Sequence, residues 1–241
     1  MISGIEKIRK LYKQGSVCVC GQRGKGKDLL MSNVAVRSSR YYGNIDYGGN
    51  YTPIDLSVMN INNGYDDFIK GTTKRYVYPL DEGADIYLSD IGVYFPSTYN
   101  DRLDKSYPYV PYFLALSRQI ANASVHWNCQ DLGRAWLKFR EQSETYILCR
   151  GVFKPLLRLG IVVQKVRIYE LYDSCIKRVP PYRVPLPSIF SPKEVKNAYE
   201  LDKARYEQTY GHVEEYLLVY RNKSTYDSRH FKTLLENAPL G

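Results

Sequence analysis

The sequence predicts an α/β fold with a mostly parallel central sheet and helices on both faces. Three short, mostly apolar runs support this prediction, at 16–20, 84–90 and 124–129. Runs of this length and composition are typical of parallel strands that are buried on both sides. With 241 residues, the chain is long enough to bury the core of one such domain.

A glycine-rich loop follows the first of these strands. Residues 21–28 read GQRGKGKD, and Gly21, Gly26 and Lys27 fill the pattern GxxxxGK. The glycines let backbone N–H groups face a phosphate, and the positive end of the helix predicted after the loop adds to that field. We therefore predict a P-loop that binds ATP, with Lys27 reaching the β- and γ-phosphates. The predicted nucleotide-binding residues are Gly21, Gly24, Lys25, Gly26, Lys27, Asp28 and Leu29.

Asp28 departs from the usual P-loop. It replaces the Ser or Thr whose hydroxyl normally binds Mg²⁺. A carboxylate can also bind Mg²⁺, but it repels phosphate oxygens across a few ångströms in a partly buried site. A glycine-rich turn that binds nothing is the alternative interpretation.

Asp90 ends the second apolar run and is the predicted acidic metal ligand. A parallel strand that ends in an acid delivers its carboxylate to the edge of the sheet where ligands bind. Asp90 would hold Mg²⁺ directly or through water, together with Asp28. The alternative is an Asp that opens a turn at Ile91. Because Ile91 stands where a water-activating Glu often follows, the obvious general base is missing.

Further candidates follow the third strand and lie on nearby helices. Gln130, next after the strand, would orient a water or sense the γ-phosphate. Helices predicted at 109–120 and 132–144 carry Arg118 and Arg140. His126 lies inside its strand, and we interpret it as a core residue.

The stretch from Ile86 to Arg150 resembles the NTPase domain of the filamentous-phage assembly protein and zonula occludens toxin-like family. The likeness rests on the order and spacing of LSDIGVYFPSTYNDR, FLALSRQ, QDL, KFREQSE and YILCR. With the P-loop upstream, it covers residues 16–150. The resemblance implies a cytoplasmic P-loop ATPase at the bacterial inner membrane that drives secretion and assembly of a single-stranded DNA phage.

The resemblance also implies roles for particular residues and partners. Gly21, Gly24, Gly26 and Lys27 would bind phosphate, Asp90 the metal, and Gln130 would lie near the γ-phosphate. Arg118 and Arg140 would stabilise transition-state charge, in cis or from a neighbouring subunit of a ring. The implied partners are ATP, Mg²⁺, further copies of the chain, and single-stranded DNA or coat protein. The family usually continues into a transmembrane helix, which this sequence lacks. We therefore expect either a soluble member of the family or a chain that is only the cytosolic part of a member.

Composition bounds the remaining possibilities. The formal charge of +9 and the pI of about 9.1 favour nucleic acid or an anionic membrane surface as partner. The five cysteines are odd in number and mostly lie in apolar runs, which indicates reduced thiols and a cytoplasmic location. The sequence contains no run of about 18 apolar residues, the length that a helix needs to span a membrane. Residues 1–14 are predicted to form an amphipathic helix.

The sequence pattern changes after Arg150. A strand is expected over 160–172 and a proline-rich connector over 176–190. Helices are expected from Ser191 to Tyr210, with Ser191 as N-cap, and at 213–220 and 230–236. The predicted division is an NTPase core over 1–175, the connector, and a C-terminal helical extension over 191–241.

Three functions remain open from the sequence. The first is an oligomeric ATP-driven motor for phage or mobile-element assembly, secretion or DNA movement. The second is a degenerate P-loop protein that serves as a structural or DNA-binding scaffold, favoured by Asp28 and Ile91. The third is a small nucleotide kinase, which lacks support because no Arg-rich lid segment is evident.

Overall fold

The computed structural model describes residues 2–54, 80–98, 118, 121–171, 187 and 190–225. Its strands, in chain order, are β1 (Ile2–Ser3), β2 (Val17–Cys20), β3 (Tyr41–Gly43), β4 (Tyr51–Pro53), β5 (Asp85–Leu88), β6 (Ser124–Cys129), β7 (Thr145–Val152), β8 (Ile161–Leu171) and β9 (Gly211–Arg221). Its helices are α1 (Ile5–Gln14), α2 (Lys27–Ala35), α3 (Ile91–Tyr94), a 3₁₀ turn (Leu132–Arg134), α4 (Leu137–Gln142), α5 (Lys154–Leu157) and α6 (Lys193–Tyr210).

These strands form one mixed sheet in the order β1-β9-β8-β7-β2-β6-β5-β3-β4. All neighbours from β7 to β4 are parallel, so the sheet has a parallel part with β2 near its centre. Strands β7, β8 and β9 pair antiparallel, and β1 adds to β9 in parallel. The predicted fold class, a mostly parallel sheet flanked by helices, is confirmed.

Two hydrophobic clusters cover the two faces of the sheet. Successive residues of β2 alternate between them, with Val17 and Val19 in one cluster and Cys18 and Cys20 in the other. The first cluster includes the apolar sides of α1 and α2, and the predicted amphipathic α1 buries its apolar face there. The second is rich in aromatic side chains, namely Phe95, Trp127, Trp136 and Phe139. Both faces of β2 are therefore covered, as a central parallel strand requires.

The single helix predicted over 132–144 is wrong. It is interrupted at Ala135 and Trp136, between the 3₁₀ turn and α4. The backbone there pairs with another segment, because Trp136 N donates to Phe95 O at 3.0 Å and Ser97 N donates to Arg134 O at 2.8 Å. These bonds compete with helical ones and fix the chain in an extended form.

The helix predicted over 213–220 is also wrong, because these residues lie in β9. Along β9, Tyr216, Leu218 and Tyr220 are buried in alternation with more exposed residues, which is the period of a strand. Pairing with the full length of β8 decides the structure. These residues belong to the central sheet rather than to a helical extension, and the other domain boundaries remain a prediction.

Of the remaining predictions, some agree closely with the structure and others concern residues that the structure does not describe. The predicted helix at 191–210 is α6, although Pro192 rather than Ser191 occupies its N-cap and no side chain caps it. Cys18, Cys20, Cys129 and Cys149 are free and buried. Predictions outside the described residues are the helices at 109–120 (apart from Arg118) and 230–236, Cys175, and most of the connector at 176–190. In the part of the chain that the structure describes, no helix is long and apolar enough to cross a bilayer.

Candidate nucleotide-binding site

The predicted P-loop lies at the carboxyl edge of the parallel strands. Strand β2 ends at Cys20, and α2 begins at Lys27 with Gly26 as its N-cap. Gly24 and Gly26 have φ angles of 76° and 88°, a left-handed conformation that L side chains adopt at a cost. The loop therefore needs these glycines, and it aims the N-terminal end of a nine-residue helix at the sheet edge.

The antiparallel strands support the loop from one side. Gln164 of β8 is fully buried and donates through Nε2 to Gly26 O at 2.9 Å and to Lys25 O at 3.4 Å. Its Oε1 accepts a hydrogen bond from the Tyr220 hydroxyl of β9 at 3.0 Å. A Cβ on Gly26 would collide with Val152 of β7 and lie 2.8 Å from Gln164 Nε2. The position of the loop is thus fixed by strands far away in the sequence.

Lys27 forms the centre of a charged cluster. Its Nζ lies 2.9 Å from Asp28 Oδ2 and 2.9 Å from Asp90 Oδ1, while only 6% of its side chain is exposed. Burial lowers the pKa of Lys27, but the charges and hydrogen bonds of Asp28 and Asp90 outweigh burial and raise the pKa overall. Lys27 is therefore protonated at neutral pH and joined to both predicted metal ligands.

Asn128 connects the two carboxylate-bearing segments. Strand β6 lies between β2 and β5, and its buried Asn128 donates through Nδ2 to Asp28 Oδ1 at 3.0 Å. The same side chain accepts from Asp90 N at 2.8 Å through its Oδ1. Asp90 itself has a left-handed φ of 51°, a conformation that Asp tolerates better than most residues. One amide thus holds Asp28 and the backbone of Asp90 in a fixed relation.

Ser89 completes this network from the end of β5. Its hydroxyl accepts from Asn128 Nδ2 at 2.9 Å and from the buried Tyr47 hydroxyl at 2.8 Å, and it lies 3.4 Å from Asp28 Oδ1. Asn44 accepts from Ser89 N at 2.8 Å and donates to Ser89 O at 3.1 Å. Each polar group around Asp28 is therefore positioned by another, which is how a rigid binding site is built.

The charges of this cluster determine what it can bind. Lys27 carries one positive charge and contacts two carboxylates, so the three side chains sum to a formal charge of −1. A triphosphate on its own would be repelled by Asp28 and Asp90. A divalent cation would remove this repulsion, and one or two carboxylates together with phosphate oxygens are the usual ligands of Mg²⁺. Asp28 and Asp90, with 25% and 22% of their side chains exposed, fit such a role.

The structure does not bring every predicted residue into this cluster. Gln130 follows β6 at the same edge, is exposed, and takes no part in the hydrogen bonds around Lys27 among the described residues. Arg118 lies near Glu144, 3.6 Å away, with 74% of its side chain exposed. Arg140 lies beside the start of β7, because the Tyr146 hydroxyl donates to Arg140 O at 2.6 Å. Both arginines therefore lie toward the amino edge of the strands, away from the P-loop.

Sequence reasoning missed Asn128, Ser89 and Gln164. Asn128 and Gln164 are polar residues inside strands that are otherwise mostly buried and apolar, and a polar residue in such a place needs a partner. That signal was present in the sequence. The identity of the partner was not, because it depends on which strands are neighbours in the sheet.

Comparison with known proteins gives structural neighbours only. No protein-family model matches the chain. No curated protein matches it either. The N-terminal domain of zonular occludens toxin from Neisseria meningitidis is 12% identical, with a TM-score of 0.42, over 68% of this chain and 89% of that one.

A viral protein is a second kind of neighbour. The genome packaging NTPase B204 from Sulfolobus turreted icosahedral virus 2, in complex with ATP-γ-S, is 12% identical, with a TM-score of 0.38, over 66% of this chain and 93% of that one. The same protein in complex with AMPPCP gives a TM-score of 0.37 at 10% identity, over 60% of this chain and 78% of that one. The neighbours thus include the toxin family that the sequence resembles.

The order of the elements places the site within a known architecture. A loop with the P-loop pattern joins the central parallel strand β2 to a helix, and an acid follows β5, which is separated from β2 by one strand, β6. The chain therefore has the strand, loop and helix order of a P-loop within a mostly parallel sheet. Its departures lie in the site, where an Asp follows the P-loop lysine and contacts it.

Proposed function

We propose that the chain binds ATP together with Mg²⁺ at the P-loop and hydrolyses it. The observation that carries the proposal is the convergence of Lys27 Nζ, the N-terminal end of α2 and the Asp90 carboxylate at one edge of the sheet. The helix end and Lys27 would bind phosphate oxygens, and Asp28 and Asp90 would hold the metal. When bound, Mg²⁺ supplies positive charge that neutralises the phosphates.

Asp28 has a specific place in this proposal. Asn128 and Ser89 already hold its Oδ1, so the carboxylate has a fixed orientation instead of swinging away from an arriving phosphate. Its Oδ2 pairs with Lys27. A metal ion that binds Asp28 would draw this carboxylate from Lys27 and free the ammonium group for phosphate. Nucleotide binding should therefore depend more strongly on Mg²⁺ than in a P-loop with Ser or Thr at this position.

A titration of ATP with and without Mg²⁺ tests this function. We expect measurable affinity only with the metal, and a loss of about a hundredfold in the Lys27→Ala variant, as for the removal of a charge-assisted phosphate contact. Asp28→Ser should bind ATP with a weaker dependence on Mg²⁺. Asp131→Asn is the matched control, because Asp131 is an exposed acid at the same sheet edge whose carboxylate accepts from Gly133 N. Equal ATP affinity for wild type and Lys27→Ala would contradict the proposal.

We further propose that the active form is an oligomer that moves single-stranded DNA or coat protein. The net charge of +9 supports a nucleic-acid partner. The location of Arg118 and Arg140 toward the amino edge suits a role in trans, on the nucleotide of a neighbouring subunit. Mass measurement with and without ATP, and ATP turnover with and without single-stranded DNA, test these points. A protein that stays monomeric and whose turnover ignores DNA would contradict them.

A second function is favoured by one observation. Lys27 is neutralised by two carboxylates, as in a site that uses these charges for its own structure. If the chain is such a scaffold, the wild type should bind ATP weakly whichever metal is present, and the Asp28→Thr variant should bind ATP more tightly. Turnover at background with Mg²⁺, Mn²⁺ and DNA, in a protein that still forms oligomers, would favour the scaffold over the motor.

A further inference from the structure

The antiparallel part of the sheet carries a group of cations beside the P-loop. Strand β7 runs parallel to β2 and leads through α5 into β8, and β9 ends next to this connection, because Asn222 N donates to Gly160 O at 2.8 Å. The two segments, 150–163 and 216–225, contain no acidic residue. Their cations, which we call the basic surface, are Arg150, Lys154, Arg158, Arg221 and Lys223. All are exposed except Arg150, which is half-buried.

The fold does not use these cations in ion pairs. In the part of the chain that the structure describes, no cation of the basic surface pairs with an Asp or Glu side chain. Arg9, Arg40, Arg118 and Arg167 each pair with a carboxylate elsewhere. Positive charges that are clustered, exposed and unbalanced by acids attract a polyanion such as nucleic acid.

An exposed aromatic ring lies within the basic surface. Phe153 directly precedes Lys154 and is 54% exposed. Its backbone is held in place, because Phe153 N donates to Val163 O at 2.8 Å. Cations for the backbone together with an aromatic ring for a base are the combination that binds single-stranded nucleic acid. Bases of a duplex already stack on one another, so the ring favours a single strand.

An anionic membrane surface fits this region less well. A helix that lies on a membrane buries a continuous apolar face in the lipid. Here the helix is α5, Lys154–Leu157, whose four residues make about one turn. Leu156 and Leu157 are themselves half-buried in the protein.

We propose that the basic surface binds single-stranded nucleic acid. Phe153 stacks on a base, and Lys154 and Arg158, on either side of the single turn of α5, contact phosphates of the backbone. Arg221 and Lys223 extend the path of the strand onto the end of β9. This inference rests on the nucleic-acid partner proposed above and gives that partner a place on the chain.

The basic surface is attached to the nucleotide site. A Cβ on Gly26 would collide with Val152, which lies between Arg150 and Phe153 in the chain. Asn222, between Arg221 and Lys223, accepts through Oδ1 from Asn33 Nδ2 of α2 at 2.7 Å. A strand on the basic surface therefore lies beside the loop and the helix that would hold ATP.

The test measures binding of a fluorescein-labelled oligo-dT of about 30 nucleotides, long enough for more than one site, by fluorescence anisotropy without nucleotide. Phe153→Ala should weaken binding about tenfold, as for the loss of one base stacked on an aromatic ring. Phe153→Tyr is its matched control and should keep the affinity, because the ring remains. A duplex of the same length should bind more weakly than the single strand.

A second pair of variants tests the cations. The double variant Lys154→Gln with Arg158→Gln should weaken binding and reduce the slope of log affinity against log salt by about 1, as for the loss of two contacts with a single strand. Lys10→Gln with Lys13→Gln is the matched control, because it removes the same charge from exposed lysines of α1, outside the basic surface. This control should change the affinity less than twofold.

The possible failures are distinguishable. A wild type that does not bind the oligonucleotide would overturn both this proposal and the nucleic-acid partner. Wild-type binding that Phe153→Ala and the Lys154, Arg158 double variant leave unchanged would overturn only the location, as would an equal loss in the α1 control. Variants that lose binding to phosphatidylglycerol vesicles but keep the oligonucleotide would replace nucleic acid by a membrane. Lys27→Ala should bind the oligonucleotide like wild type, so a failure of ATP binding leaves this result unaffected.

Discussion

The parallel and antiparallel parts of the sheet hold their charged residues in different surroundings. In the parallel part, Lys27, Asp28 and Asp90 come just after strand ends, and the two carboxylates stay partly exposed. In the antiparallel part, Arg167 of β8 and Glu215 of β9 are direct partners in mid-strand, with side chains 0% and 7% exposed. Charges at a strand end remain within reach of a ligand, whereas the charges of this mid-strand pair are buried against protein groups.

The antiparallel part nevertheless affects the nucleotide site through neutral groups. Val152 and Gln164 contact Gly26, and Tyr220 holds Gln164. The buried ion pair and the Gln164–Tyr220 pair therefore lie on the same two strands, β8 and β9, but serve different purposes. Changes to the ion pair should affect stability, and changes to the contacts with Gly26 should affect nucleotide binding.

The largest expected effect follows from breaking the buried ion pair. Arg167 donates through Nε to Glu215 Oε1 at 2.8 Å. Arg167→Met leaves a buried carboxylate without its main partner, which costs about 3–5 kcal/mol of unfolding free energy. Urea denaturation measures this loss. The affinity of the folded fraction for ATP should stay the same.

Two controls sharpen this result. Lys165 lies 3.2 Å from Glu215 Oε2 but is 46% exposed, so Lys165→Met should cost less than about 1 kcal/mol. The double variant Arg167→Met with Glu215→Leu should recover most of the loss, because no unpaired charge remains. An Arg167→Met protein as stable as wild type would show that the pair does not stabilise the sheet.

A smaller effect of the same pair depends on pH. Burial raises the pKa of Glu215, but Arg167 and Lys165 outweigh burial and lower the pKa overall. The unfolded chain then binds this proton more readily than the folded one, so the pair stabilises the fold above the unfolded pKa, which is about 4.3. This contribution is lost as the pH falls through the lower pKa of the folded state. The stability difference between wild type and Glu215→Gln should therefore narrow below about pH 4 in urea denaturation. A difference that stays constant down to pH 2 would contradict this assignment.

The parallel part was largely predictable from the sequence, whereas in the antiparallel part the strand predicted over 160–172 is β8 but β9 was not expected. Strand β6 and the β2, P-loop, α2 unit follow from local signals: an apolar run, glycines that permit positive φ, and a helix start. Lys27 and Asp90 could be placed at one edge because parallel strands share their carboxyl ends. The contact of Asp28 with Lys27 was not expected, since it requires the network of Asn128 and Ser89.

The error at β9 has a physical explanation. The segment 211–221 carries Glu and Leu residues, which have good helix propensity, and its apolar run at 216–220 shows no two-residue alternation in the sequence. Its pairing with β8 overrides this local preference. Gln164 was overlooked for a related reason, because its partners Gly26 and Tyr220 lie more than fifty residues away in the chain.

A moderate effect is expected where the two parts meet. Gln164→Leu removes the hydrogen bonds to Gly26 O and from the Tyr220 hydroxyl. Gly26 O keeps the bond from Leu30 N at 3.0 Å, but the buried Tyr220 hydroxyl loses its partner. We expect a loss of about 1–3 kcal/mol in stability and a roughly tenfold loss in ATP affinity, because the loop is no longer held. Tyr220→Phe is the matched control, since it leaves the amide on the loop and should keep most of the affinity. Equal losses of affinity in the two variants would show that the loop does not depend on Gln164 itself.

The smallest expected effect separates the two glycines of the loop. A Cβ at Gly24 would meet no atom within 4 Å, whereas a Cβ at Gly26 meets Val152 and Gln164 of the antiparallel part. Gly24→Ala should therefore cost only the strain of a left-handed backbone, about 1 kcal/mol, and Gly26→Ala should cost clearly more. Thermal unfolding of the two variants in the absence of nucleotide measures the difference. Equal losses would mean that backbone strain alone fixes the loop, and that the antiparallel strands do not press on it at Gly26.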